Sequence, residues 1–212
     1  MEITWYGHAC FRLKDRAATV ITDPYDKSLG LPLPRLKADI VTISHASPHH
    51  NYIEGVKEVT RVLDSPGEYE IKEVFITGIG LTSAKKNSHV SYQNNIFVVY
   101  MEDIAICHLG DLNHIPTQQQ VEDLGSIDVL MIPVGGKKAL NAAQAAEVIS
   151  LIEPYIVIPM HYSLPGLAIE LDSVSKFLKE MGVANSEPLG TLKLTKASLP
   201  EETQLVLLEP KS

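Results

Sequence analysis

Three apolar runs of this 212-residue chain each end in a histidine, and this repeated ending constrains the fold more than any other feature. The runs with their terminal histidines are 38–44 with His45, 103–107 with His108 and 155–160 with His161. Short apolar runs of this length are typical of buried β-strands. Because strands that share a sheet bring their carboxyl ends to one edge, we expect the three histidines to converge there.

Further polar residues follow the first two runs. His49 and His50 come soon after His45, and Asp111 follows His108 across Gly110, a residue that permits a tight turn. Imidazoles and a carboxylate gathered at one sheet edge are the groups that a hydrolytic metal centre requires. The chain has only eight histidines, so three of them in one turn favour a metal site. The alternative interpretation is a polar surface loop.

Each candidate also has an ordinary structural interpretation. Asp111 could cap its turn through backbone N–H groups, and a histidine such as His161 after an apolar strand is commonly a hydrogen-bonded core residue. His8 and Asp23 end early strands and are expected at the rim of the site, as groups that support ligands or face the substrate. Two histidines without a spacing argument are expected at the surface: His89 and His114.

The charge balance argues against a nucleic-acid partner. The net charge is -8 and the pI is near 5.4, so the surface field repels phosphate backbones. The lysine pairs at 85–86 and 137–138 are too short to form a basic patch.

No stretch approaches the roughly 20 apolar residues of a membrane span, and residues 1–6 lack the features of a secretory signal. Cys10 and Cys107 lie in apolar runs, and we expect reduced thiols in a cytoplasmic protein. The expected partner is a small-molecule substrate, with no nucleic acid and no membrane. The sequence is compatible with a homo-oligomer.

The predicted elements begin with strands alone and continue with strands that alternate with helices. Strands are predicted at 2–6, 9–14, 19–22, 38–45, 59–63, 73–77, 95–100, 103–108, 127–132, 155–160, 189–194 and 204–208. Helices are predicted at 117–125, 141–152 and 171–181, the first two with capping boxes, and loops at 25–37 and 78–94. This order predicts two packed sheets with helices outside, in one domain spanning residues 1–212.

Several motifs, in order over nearly the whole chain, resemble the metallo-β-lactamase fold superfamily. Within it the chain is similar to the small cytosolic Zn-dependent hydrolases related to the ascorbate-phosphate lactonases. The segments that carry the resemblance are 5–11, 22–25, 44–51, 65–69, 108–114, 133–136 and 158–162. The resemblance implies an α/β (α+β) fold, a four-layer αββα sandwich with one or two zinc ions at the edge between the sheets.

The first metal motif departs from the family pattern, which reads His-x-His-x-Asp-His. In this chain the frame begins at His45, carries Ser47 in place of the second His and His49 in place of the Asp, and ends at His50. The branch also has a loop histidine before its Asn-x-Ile-Phe strand, where this chain has Thr82.

By the resemblance, one of the two metal sites survives. The first site keeps only His45 with a shared Asp111, fewer than the three protein ligands usual for catalytic zinc. The second site keeps four candidate ligands, which are His49, His50, Asp111 and His161. His108 is assigned beside the site, since the Asp carries the ligand role in that segment. We therefore expect one Zn²⁺ ion, with Mn²⁺ or Fe²⁺ also open, or none.

Three functions are open from the sequence. The first is a metal-dependent hydrolase of a small ester, lactone or phosphate-bearing metabolite, in which Asp111 orients or deprotonates water and His45 or His108 assists. The second is a catalytically degenerate relative that binds no metal and has a binding or regulatory role. The third, a nuclease, is disfavoured by the acidic surface. Ser47 is either a lost ligand or a hydrogen-bond donor to a substrate.

Overall fold

The structure, a computed structural model, describes residues 1–84, 91–184 and 186–211. The strands in this part of the chain are β1 Glu2–Trp5, β2 Phe11–Lys14, β3 Thr19–Thr22, β4 Leu36–Lys37, β5 Ile40–Thr42, β6 Val56–Lys57, β7 Arg61–Leu63, β8 Gly67–Ile71, β9 Val74–Ala84, β10 Ser91–Met101, β11 Ile104–His108, β12 Val129–Pro133, β13 Ile156–Met160, β14 Leu192–Lys193 and β15 Gln204–Leu205. The helices are α1 Gln118–Leu124, α2 Ala142–Ile152 and α3 Val174–Glu180, with 3₁₀ turns at Lys27–Leu29, Ile53–Gly55 and Lys196–Ser198.

The strands form two large mixed sheets and a small pair. One sheet has the order β14-β1-β2-β3-β5-β7, the other has the order β15-β13-β12-β11-β10-β9-β8, and β4 pairs with β6. The run that ends before His45 therefore lies in a different sheet from the runs that end at His108 and His161. The expectation of one shared sheet is wrong, and the histidines approach one another across the gap between two packed sheets.

The main hydrophobic core lies between the two sheets. Trp5 and Phe11 from the six-stranded sheet, and Phe97, Ile106 and Met131 from the seven-stranded sheet, are among its fully buried members. Full burial of one such side chain contributes about 1.5–3 kcal/mol. A second cluster, which includes Ile21, Tyr25 and Leu29, joins the six-stranded sheet to the 3₁₀ turn at Lys27–Leu29. The predicted α/β sandwich is confirmed.

The helix starts follow the sequence signals closely. Thr117 and Asn141 each accept a hydrogen bond from the third residue of the helix, whose Gln side chain bonds back, so both predicted capping boxes are present. The third helix begins at Val174 and not at residue 171. The backbone of Asp172 bonds to Gly135 and Ser163 instead of joining the helix, and Ser173 has extended backbone angles as the N-cap.

The predicted loop at 78–94 is wrong for most of its length. β9 continues to Ala84 and β10 begins at Ser91, in antiparallel register with Thr82 opposite Gln93. At the end of this predicted loop, the polar residue Asn94 is a buried member of β10, and its amide donates to the Leu109 carbonyl after β11. His89 lies outside the described residues.

Cys10 and Cys107 are both buried and free. Burial raises the pKa of each thiol. No helix of the described residues is long and apolar enough to cross a membrane.

The turn after β11 requires glycine for two reasons. Gly110 has φ +61°, and a Cβ on it would lie 2.3 Å from the Ser44 Cβ. We predict that Gly110→Ala lowers the free energy of unfolding by about 2–4 kcal/mol, from backbone strain and overpacking. Gly182 is the matched control, because it has φ +69° and an added Cβ would meet no heavy atom within 4 Å; Gly182→Ala costs about 1 kcal/mol. Equal losses in urea unfolding would contradict the overpacking at Gly110.

Candidate metal centre

Five titratable side chains meet at the carboxyl ends of β5, β11 and β13, and they form two overlapping groups. One group is His8, His50 and His161, and the other is His45, His50 and Asp111; within each group the ligand atoms lie within 4.8 Å of one another. All are buried except His45, which is partly exposed. The structure thus brings together four of the five predicted ligands and adds His8, which the sequence placed only at the rim.

His50 is held by a buried carboxylate. Its Nδ1 lies 2.8 Å from Asp23 Oδ2, and Asp23 also accepts hydrogen bonds from the Ser44 N–H and hydroxyl groups. Burial opposes charge on both partners, but their mutual contact prevails: the pKa of Asp23 is lowered and that of His50 is raised. With Nδ1 bonded to the carboxylate, Nε2 of His50 faces the cluster.

His8 contacts the free side of the His50 ring. Nε2 of His8 lies 3.2 Å from Nε2 of His50, and the His8 ring centroid lies 4.1 Å from that of His161. Burial, and then the neighbouring His161 and His50, hold the pKa of His8 well below its usual value. Burial likewise lowers the pKa of His161 to about 4. Both rings are therefore neutral at neutral pH, the form in which imidazole offers a lone pair to a metal ion.

Asp111 joins the two groups. Its Oδ1 lies 3.2 Å from Nε2 of His161. The Asp111 N–H donates to Asn94 Oδ1, and Asn94 Nδ2 donates to the Leu109 carbonyl, so a buried amide fixes the turn that carries the carboxylate. The role of Asn94 was missed, because one polar residue in a polar stretch carries no such signal.

Three members of the site have a left-handed backbone, which is uncommon for residues other than glycine. The φ angles are +51° at His8, +40° at Asp23 and +53° at His161. The strain is offset at His8, whose carbonyl accepts from Trp5 Nε1 and from the His161 N–H. Backbone strain of this kind is characteristic of functional sites.

His108 contacts the backbone of the turn that carries His8. Its Nε2 donates to the Ala9 carbonyl at 2.9 Å, and Thr22 Oγ1 donates to the same oxygen. Burial lowers the pKa of His108, so the ring is neutral. These bonds anchor the turn next to His8, and His108 belongs to neither ligand group of the described residues.

A cavity of about 310 Å³ opens onto the cluster. Its wall includes His45, Ser47 and His49 as well as Lys138 and the buried members of the two groups. His49 belongs to neither ligand group found in the described residues, and its Nε2 lies 3.2 Å from the Ser28 hydroxyl. Ser47 caps the turn, with its carbonyl accepting from the His50 N–H. His114 is partly exposed and bonds to Asn113, away from this wall.

The fold is an α/β sandwich, and the His/Asp cluster lies buried between its two sheets. This combination is typical of metal-dependent hydrolases. The family model described as the beta-lactamase superfamily domain matches residues 2–161. A solved structure from Thermotoga maritima, assigned to the Zn-dependent hydrolases of the metallo-β-lactamase superfamily, is 38% identical, with a TM-score of 0.79 over 98% of this chain and 97% of that one. The chain belongs to the metallo-β-lactamase superfamily.

Curated relatives are more distant but span most of both chains. A UPF0173 protein of Pyrococcus abyssi is 28% identical over 78% of this chain and 85% of its own length. A UPF0173 metal-dependent hydrolase of Methanoculleus marisnigri is 26% identical over 84% and 89%. The structure of a metallo hydrolase of Ignicoccus hospitalis, 18% identical with a TM-score of 0.66 over 92% of this chain and 99% of that one, shares the fold.

We predict that Asp23→Asn lowers the pKa of His50 in metal-free protein, because the anionic acceptor at Nδ1 is lost. The amide also cannot accept all three hydrogen bonds, so the free energy of unfolding falls by about 2–4 kcal/mol. NMR titration and urea unfolding measure the two effects. Asp26→Asn is the control, since Asp26 is a partly exposed aspartate of the same loop whose carboxylate accepts from Ser28. An unchanged His50 pKa in Asp23→Asn would contradict the pairing.

Proposed function

We propose that this protein is a metal-dependent hydrolase of a small ester, lactone or phosphate-bearing metabolite. His8, His50 and His161 would hold one divalent ion, with Asp111 beside it. Zinc suits this donor set, because three imidazoles with one open position is a known catalytic zinc arrangement. The relatives described as metal-dependent or Zn-dependent hydrolases support the same class.

The observation that carries the proposal is the 3.2 Å separation between the two Nε2 atoms of His8 and His50. Zinc–nitrogen distances of about 2.0–2.1 Å at a tetrahedral angle place two ligand nitrogens about 3.3 Å apart. The spacing therefore fits two ligands of one ion. The Asp23 bond to Nδ1 is the outer contact by which a metal-binding histidine is usually oriented.

His8 resolves the difficulty that the first motif raises. The sequence offered His49 where the family has a carboxylate ligand, but His49 is at the cavity wall with Ser28. His8 lies outside this motif in the sequence but contacts His50 in the fold. It would supply the third imidazole of the proposed site. One site is thereby completed without Ser47, Thr82 or His49.

When bound, the ion supplies Lewis-acid activation of water and polarises the substrate oxygen. Asp111 would accept the proton of the attacking water, a role supported by its position 3.2 Å from His161 Nε2. His45 is partly exposed at the cavity and its pKa is lowered, first by burial and then by His50, so it is available as a neutral acceptor or donor toward the leaving group. The buried walls around His8 and His161 limit access of bulk water.

We predict that the protein purified and reloaded with zinc holds about one ion per chain, as a three-histidine site requires. His8→Ala, His50→Ala and His161→Ala each weaken zinc binding at least about 100-fold, more than the loss of an outer contact would. Elemental analysis and competition with a chromophoric chelator measure the ratio and the affinity.

His49→Ala is the matched control, because this histidine lines the same cavity outside both ligand groups of the described residues. It should retain the ion. Loss of zinc in His49→Ala with retention in His8→Ala would overturn the ligand set. A wild-type protein that holds no zinc, manganese or iron would instead support the degenerate, metal-free alternative.

We further predict that Asp111→Asn lowers kcat about 10²–10⁴-fold while zinc stays bound, since the amide cannot take a proton from water. A panel of a p-nitrophenyl ester, a lactone and a phosphate monoester provides the assay. Asp123→Asn, an exposed change on α1, is the control. Full activity in Asp111→Asn would remove this carboxylate from the mechanism.

A further inference from the structure

The wall of the cavity carries a positive charge that the proposed hydrolysis does not use. Lys138 is exposed and lines the cavity together with the metal cluster. Among the described residues, no carboxylate oxygen lies close enough to the Lys138 Nζ atom, within 4.0 Å, to form an ion pair with it.

Two acidic residues near Lys138 already form ion pairs with other lysines. Glu170, which also lines the cavity, accepts from Lys137 Nζ at 2.9 Å. Asp172 accepts from Lys176 Nζ at 2.7 Å. Each of these two charges is offset, so Lys138 is left in excess on this side of the cavity. Asp111 is the remaining carboxylate of the wall, and it belongs to the metal cluster.

The loop that carries Lys138 is tied to the centre by its backbone. The Leu140 N–H donates to the carbonyl of Leu112, the residue after Asp111, and the Asp172 N–H donates to the Gly135 carbonyl. A Cβ on Gly135 would lie 2.1 Å from the His161 carbonyl oxygen, so the loop packs directly on the residue that carries a ligand. These backbone contacts therefore fix the position of the Lys138 backbone relative to the proposed ion site.

We propose that Lys138 binds an anionic group of the substrate, and that the substrate is an organic oxyanion, a carboxylate or a phosphate, with an apolar part. Ile169 and Leu171 supply apolar side chains to the same wall. A lysine is a compact donor that suits either oxyanion. This inference rests on the proposed function, since it names the substrate class of the same cavity.

The test uses the full chain and isothermal titration with sodium phosphate and sodium acetate in separate arms, before and after chelation of metal. Lys138→Gln should weaken binding of the preferred anion about tenfold, by loss of a charge-assisted hydrogen bond. Lys138→Arg should retain binding, and Glu170→Gln should tighten it, because Lys137 is released. Lys193→Gln, which removes an equal charge from a distant strand, is the control.

An equal effect of Lys138→Gln and Lys193→Gln would overturn the inference, as would wild-type protein that binds neither anion. The arm that depends on Lys138 identifies the group as phosphate or carboxylate. Elemental analysis of the same samples separates the two proposals. Zinc retained without any dependence on Lys138 defeats this inference alone, whereas anion binding through Lys138 without any retained metal defeats the proposed hydrolase.

Discussion

The hydrogen bond between His50 and Asp23 is the contact on which the rest of the site depends. It lies fully inside the protein, and it decides which ring nitrogen of His50 faces the cluster. Breaking such a buried pair by removing one partner is strongly destabilising, because the other partner is left buried without its counter-charge. Asp23 also holds Ser44, whose carbonyl accepts from the Asn95 N–H of the other sheet, so one carboxylate fixes both the His50 ring and the contact between the two sheets.

The path from sequence to site was clear where a local signal existed. The apolar runs before His45, His108 and His161 predicted strand ends, and the capping pairs at 117 and 141 predicted helix starts. Gly110 likewise predicts a tight turn, because glycine has the backbone freedom that such a turn needs. Each of these depends on neighbouring residues of the chain, which is why they could be predicted.

The features that were missed depend on residues far apart in sequence. His8 and His50 are separated by 42 positions, and their contact follows from the packing of a hairpin turn against the end of another strand. The assignment of three strand ends to one sheet failed for the same reason, since sheet membership is a tertiary property. The pairing of Asn94 with Asp111 is likewise invisible from a polar stretch of sequence.

The departures from the family motif take on a different meaning in the folded chain. The change at position 49 places a histidine at the cavity wall, while the imidazole of His8 lies against Nε2 of His50. With a histidine at position 49 where the family motif has an aspartate, the cavity wall carries one carboxylate fewer. The proposed anion-binding role of Lys138 agrees with this change, because a less negative wall repels an anion less.

The most direct test of the ligand set is anomalous diffraction from zinc-loaded crystals at the zinc absorption edge. We predict one peak, at about 2.0–2.2 Å from Nε2 of His8, Nε2 of His50 and a ring nitrogen of His161. A peak bound by His49 in place of His8, a second peak of equal height, or the absence of any peak at this cluster would contradict the three-histidine site.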